Sequence, residues 1–220
     1  MAKILEEKVQ RFLSEINKEL PGVVKLNLHG IYKRGIFMPR GAGPGTAKKR
    51  YALIDDKGVL TVRGLERVRR DWSDIAKSTQ EKVLEFVLKK KDVDGAVKFV
   101  QGVIINLKQG KIPLKELTLY EQLTKPLAEY KAIGPHVAAA TKIKEHGRPV
   151  SEGMIIMFVI TKGKGSISER AEPIENVDLK DVDADYYIHN QVVPAALRVL
   201  KVMGVSEERL LGGTLKSFLK

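Results

Sequence analysis

At 220 residues, with 43% hydrophobic and 30% charged side chains, the chain is long enough to bury a sizeable core and to form one or two domains. It has no cysteine, which excludes disulfides, thiolate metal sites and thiol nucleophiles, and its longest apolar run, Met154 to Ile160, is far short of the roughly 20 residues that cross a bilayer. The amino terminus alternates charge with apolar residues and shows no signal peptide, so a soluble, cytoplasmic protein is expected; the net charge of +12 suggests a polyanionic partner but also fits ribosomal and membrane-surface proteins.

Along the chain, Ile4, Leu5, Val9, Phe12, Leu13, Ile16 and Leu20 recur at helical spacing until Pro21-Gly22 stops them, which predicts an amphipathic helix. Val24, Leu26 and Leu28 then alternate with Lys25, Asn27 and His29, and Gly30 turns the chain into Ile31 to Met38, which reads as a two-stranded ribbon. The stretch Gly41 to Gly45 is glycine-rich and reads as a flexible loop, lacking the lysine and hydroxyl spacing of a P-loop. Arg50 to Ile54 and Val59 to Arg63 flank the turn sequence Asp55-Asp56-Lys57-Gly58 and predict a second hairpin.

Beyond Trp72 the pattern becomes mainly helical. Ser73 is placed to cap a helix reaching about Lys90, and Val93 to Leu107 forms another that ends at Gly110. Pro135 opens a helix running to His146 with Gly147 after it, Met154 to Thr161 is a short buried strand, and Asp185 to Met203 is a last helix that Pro194 must kink or split. The fold class predicted is α+β, with a shift from basic β structure to helix between Ala47 and Arg70.

The charge is concentrated on the β part. From Ile31 to Arg70, eleven Lys or Arg stand against three acids, a local net charge of +8. Solvation asks for no such focus, whereas a surface that neutralises phosphates does.

The residues carry a family resemblance. Ile31-Tyr32-Lys33-Arg34-Gly35-Ile36-Phe37, then Lys48-Lys49-Arg50-Tyr51-Ala52-Leu53-Ile54-Asp55, then Arg63-Gly64-Leu65-Glu66 with Val68-Arg69-Arg70-Asp71-Trp72, resemble in order the palm-to-thumb stretch of archaeal family B DNA polymerases. Tyr130 to Ala138 resembles the thumb loop of that family, Lys162-Gly163-Lys164-Gly165 its later glycine turn, and Asp185-Tyr186-Tyr187-Ile188 with Gln191-Val192 its last helix. The resemblance covers essentially the whole chain. It implies that residues 1–47 complete the palm, as a helix plus antiparallel strands, and that 48–220 form a mainly helical thumb with a carboxy-terminal tail.

The same resemblance puts the catalytic aspartates, the nucleotide-binding lysine and the exonuclease carboxylates before the matched stretch, so no catalytic residue and no metal ligand is assigned here. Magnesium is expected on a larger catalytic polypeptide, the partner of this chain, which opens with Met1 and a well-formed helix and so reads as the smaller part of a naturally split polymerase. Relatives usually carry acids where this chain has Lys25, Asn27 and His29, and a single His on an alternating strand is more often a plain strand residue than a ligand.

Primer-template DNA is the expected ligand. Lys48, Lys49, Arg50 and Tyr51 would face the duplex, with Lys49 and Tyr51 on one side of a strand. Arg63, Arg69 and Arg70 suit phosphate, although Glu66 and Asp71 should pair with at least one of them. Lys131, Gly134 and His136 surround a helix start that can take a phosphate, and Lys162 and Lys164 flank glycines that permit close backbone approach, unless each is an ordinary cap or turn. In the tail, Leu215, Phe218 and Leu219 resemble the peptide by which polymerases dock on a sliding clamp, or else belong to a plain disordered end. The alternative function is a stand-alone duplex-binding accessory module, and an exposed apolar face on Ile4 to Met38 would favour the split polymerase over it.

Overall fold

The structure is a computed structural model, and it describes residues 2–39, 46–66 and 70–212. The glycine-rich stretch at 41–45 and the clamp-like tail, with Leu215, Phe218 and Leu219, lie outside the described residues. The architecture is α+β, as expected: two three-stranded antiparallel sheets joined by a helical core.

Helix α1 (Ala2–Glu19) forms where the apolar spacing placed it, and Leu5, Glu6 and Gln10 share a cleft with Tyr32, Lys33 and Asp55, but much of its apolar face is left uncovered. Ile4, Leu5 and Phe12 are 61%, 49% and 59% exposed. The ribbon expected between 24–28 and 31–38 does not form. Strand β1 (Tyr32–Pro39) pairs instead with β2 (Thr46–Asp55), which pairs with β3 (Leu60–Arg63). The alternating stretch before β1 is held to α1 by one side chain: Asn17 Nδ2 donates to Leu26 O at 2.9 Å, and Leu26 N donates to Asn17 Oδ1 at 2.7 Å. Leu28 is half-buried, but Val23, Val24 and Leu26 are 97%, 53% and 45% exposed. Alternation announces a face to be buried, and no described residue buries this one.

The β2–β3 hairpin follows the turn sequence. Gly58 takes φ 81°, and Asp55 Oδ1 accepts the Val59 N–H at 2.8 Å. At the other end of β2 the register breaks. Phe37 faces Tyr51 but Pro39 faces Thr46, so β2 carries three more residues than β1 over that interval, and Lys49 within them adopts φ 60°. Gly64, just past β3, is shaped by this bulge: a Cβ there would lie 2.1 Å from Lys49 O, and its own φ is 63°. Two sequence segments that look independent are therefore in backbone contact.

The first sheet turns Ile36, Met38, Ala52 and Ile54 inward against the helical core. That core is formed by α2 (Asp74–Leu84), α3 (Val93–Lys108) and α7 (Val193–Leu200). Helix α2 continues through a π turn, Glu85–Lys90, into the left-handed Lys91. Asp92 caps α3, with its carboxylate accepting from Gly95 N. Ser73 occupies the cap position of α2 without capping it: its N–H and hydroxyl both donate to Gln191 Oε1, at 2.9 and 3.1 Å. Its hydroxyl thus donates to a tertiary acceptor and takes no N–H from the first turn of its own helix.

Pro194 neither ends the last helix nor bends it at random. The short α6 (Ala184–Tyr187) passes into a π turn, Ile188–Val192, before α7 begins, so the ladder shifts register just where proline can donate no N–H. A 3₁₀ turn, Lys201–Met203, and left-handed Gly204 close it. The small helices α4 (Leu114–Leu117) and α8 (Glu207–Leu210) flank this core.

Of the second sheet the sequence indicates one strand, 154–161. Strand β5 (Ile155–Ile160) is flanked by β4 (Leu119–Gln122) and β6 (Ala171–Pro173), in order β4-β5-β6, with α5 (Pro135–Glu145) against one face. Both flanking strands are too short to show a period. Tyr187 links sheet to core by accepting the Ile160 N–H at 3.2 Å, and burial pushes its phenol far above the usual tyrosine range.

Candidate nucleic-acid interface

Register builds the outer face of the first sheet. Phe37 pairs with Tyr51, and Tyr51 pairs with Arg63, so the three residues form one row across three strands. Because their neighbours Ile36, Met38 and Ala52 point into the core, this row points out. Phe37 is 55% exposed, Tyr51 half-buried and Arg63 exposed, and the two rings lie 5.9 Å apart, tilted by 41°. Among the described residues neither Lys49 nor Arg63 makes an ion pair, and the acid on β2, Asp55, is committed to its turn. Rings that can pack on sugars beside an unspent guanidinium make a surface for a nucleic-acid backbone.

Lys49 and Tyr51 do not share a face by simple alternation, because the left-handed residue interrupts the pleat. Lys49 is exposed at the bulge. Arg50 lies on the inner side, in a cleft against Leu197 and Arg198 of α7. The side chain of Lys48 and all of Arg69 lie outside the described residues.

Arg70 donates from Nη1 to Gln122 Oε1 on β4 at 3.3 Å, which ties the end of the basic stretch to the second sheet. Of the two acids expected to pair with the arginines, Glu66 takes other partners. The chain dives inward after Gly64, leaving Glu66 only 2% exposed, with Arg198 Nε 2.7 Å from one carboxylate oxygen and Gln80 Nε2 2.5 Å from the other. Its partners thus come from α7 and α2, and among the described residues neither Arg63 nor Arg70 pairs with it.

Gly134 is the residue before α5, Pro135 its first position, and no side chain caps it. Val137 and Ala138 return their N–H groups to Gly134 O at 3.0 Å. His136 Nδ1 lies 2.9 Å from Glu121 Oε2, an ion-pair contact once the ring is protonated and not an aligned hydrogen bond. Tyr130 meets the same ring edge-on at 5.8 Å. Lys131 is exposed beside them. A carboxylate therefore already stands near the helix start where an anion could approach.

The glycine turn is more fully occupied. Lys162 Nζ donates to Lys180 O at 2.7 Å, and its backbone N–H goes to Asp181 O at 2.8 Å. Glu169 Oε2 accepts the Ser166 N–H at 2.6 Å, and this bond, followed by one with the Ser166 hydroxyl, holds the Glu169 carboxyl below its ordinary range. Gly165 (φ 106°) has no room for a Cβ, which would meet that carboxylate at 2.6 Å. Lys164 remains exposed.

Phe37 lies within one of the family-like motifs with no role marked by its sequence, and Arg198 and Gln80 lie outside every candidate site that the sequence indicates. Only register reveals Phe37 as the outward aromatic, while nothing local marks the other two. Among the described residues no three His, Asp or Glu side chains gather as metal ligands, and Lys25, Asn27 and His29 offer at most one ligand type in a segment that is not a strand. The residues present do not fit a divalent-metal centre. No described helix is long and apolar enough to cross a membrane.

The chain that presents this row of two rings and a guanidinium has known relatives. The sequence model for DNA polymerase family B matches residues 5–203, so the chain belongs to that family. It is 47% identical over 208 residues to the DNA polymerase of Thermococcus aggregans, covering 94% of this chain and 11% of that one. It is 46% identical to the DNA polymerase of Pyrococcus horikoshii, covering 94% of this chain and 16% of the relative. Among solved structures, the family B DNA polymerase from Pyrobaculum calidifontis superposes with a TM-score of 0.70 at 38% identity, over 90% of this chain and 25% of that one. The chain thus spans a small part of the length of the relatives it matches.

Proposed function

We propose that the chain is the end of the palm, residues 1–47, and the thumb, residues 48–220, of an archaeal family B DNA polymerase, and that it grips primer-template duplex while a larger polypeptide supplies the aspartates, the magnesium and the nucleotide site. The observation that carries this reading is the cross-strand row of Phe37, Tyr51 and Arg63, whose cation has no other partner among the described residues. Contacts of this kind hold a backbone without reading bases, which suits an enzyme that must copy any sequence. The exposed apolar residues of α1 and of 23–26 favour a catalytic partner over a stand-alone binder, since a free accessory module has no reason to leave them in water.

The chain alone should bind duplex DNA, with an affinity that falls as salt rises, and should incorporate no nucleotide at any magnesium concentration. Mixed with the polypeptide carrying the aspartates, it should restore templated synthesis and co-elute with it. Phe12→Lys in α1 should abolish co-elution while duplex binding by the isolated chain persists. Incorporation by the isolated chain would overturn the proposal, and a larger polypeptide fully active without it would leave only the accessory role.

A further inference from the structure

We infer that the cleft between the inner face of the first sheet and α7 binds a terminal phosphate monoester, carried by a free nucleotide or by the end of a nucleic-acid strand. The cleft holds ≈ 250 Å³ and is lined by Met38, Arg50, Leu197, Arg198, Lys201 and Val202. Three of these residues are cations, and none is an acid. Like charges gathered over low-dielectric walls repel unless an anion joins them.

The arrangement is built. Arg198 is fixed from behind, its Nε 2.7 Å from Glu66, and Glu66 is in turn held by Gln80, which also donates to Ala195 O at 2.9 Å. A guanidinium oriented by a buried carboxylate loses little freedom on meeting a ligand. Among the described residues Arg50 and Lys201 have no ionic partner. Glu66 offsets one of the three positive charges and leaves two, which matches the dianion of a monoester near neutral pH and not the single charge of a backbone phosphodiester. The volume falls just under the ~300–1,000 Å³ of ordinary small-molecule sites. It admits a phosphate with a sugar or one ring system and excludes a duplex. The cleft opens on the side of the sheet away from Phe37, Tyr51 and Arg63, so it does not depend on the duplex grip and both can be filled at once.

The test is a fluorescence-anisotropy titration of the full chain with one labelled single-stranded 12-mer, prepared with a 5′-phosphate or a 5′-hydroxyl, with deoxyadenosine monophosphate as competitor. One added charge-assisted contact predicts about tenfold tighter binding of the phosphorylated strand. Lys201→Gln and the charge-neutral Val202→Trp, which fills the cleft, should each erase that difference; the second separates a site from a general attraction to charge. Direct binding of the mononucleotide, read by calorimetry and abolished by Val202→Trp, without any preference between strands assigns the cleft to free nucleotide, and a strand preference that the mononucleotide does not relieve assigns it to chain ends. Equal binding of both strands with no calorimetric binding of millimolar mononucleotide, or a preference that survives Val202→Trp, overturns the inference. Arg63→Ala serves as the control: it should weaken duplex binding and leave the strand preference intact, so failure here and failure of the duplex grip remain distinct.

Discussion

The two sheets treat their charged residues in opposite ways. Around the second sheet, cations are spent inside the fold: Lys142 donates to Glu172 and to the Ala171 carbonyl, Arg170 pairs with Asp183, Arg148 with Glu175, and Lys162 holds the Lys180 carbonyl. On the first sheet, Lys49 and Arg63 have no such partner among the described residues, and the acid nearest in sequence on β2 is locked in its turn. Each region has an exception: Lys164 stays exposed near the second sheet, and Lys33 on β1 donates to the Asp56 carbonyl at 3.0 Å. A basic residue indicates a polyanion site when the fold has not already consumed it, and composition alone cannot make that distinction.

The contrast breaks most severely at Gly64. Gly64→Ala would push a Cβ into Lys49 O at a left-handed position, and it should cost about 2 kcal/mol or more of stability by urea unfolding while weakening duplex binding. If stability and binding are both unchanged, the bulge does not organise the interface. Next in size, Arg63→Ala should lower duplex affinity about tenfold at moderate salt and flatten the slope of log affinity against log salt by roughly one unit. Tyr51→Ala should weaken binding with little change in that slope, because a ring contributes contact and no charge.

Lys162→Gln sharpens the comparison from the other side. Its ammonium is committed to a carbonyl, so duplex affinity should change less than about twofold and the salt slope should stay put. An effect equal to that of Arg63→Ala would erase the distinction between the sheets. The smallest effect is local and pH-dependent. Because the folded Glu169 carboxyl lies below its ordinary 4.5, the contribution of its bond to Ser166 is present above that pH and lost as pH falls through the lowered value. The Ser166 amide resonance should titrate with a midpoint below 4.5, and a midpoint at or above it would mean that the carboxylate does not fill the turn.

Much of this molecule was decided by local sequence. The period of α1 and α3, Pro135 opening α5, Gly147 and Gly204 ending helices with φ 76° and 77°, and the Asp55–Gly58 turn all rest on interactions within a few residues, so a single chain displays them. The ordered motifs also carried the family. Tertiary structure decided the rest. The stretch 24–28 has the alternation of a strand but no partner, Ser73 looks like a cap and serves Gln191 instead, and Glu66 answers Arg198 across 132 positions. Lys49 leaves the pleat, and Gly64 must then be glycine, because their backbones meet. Hydrogen bonds and ion pairs saturate with whichever group the fold brings nearest. Which cations stay free for a ligand is therefore a property of distant neighbours, and no window of sequence contains it.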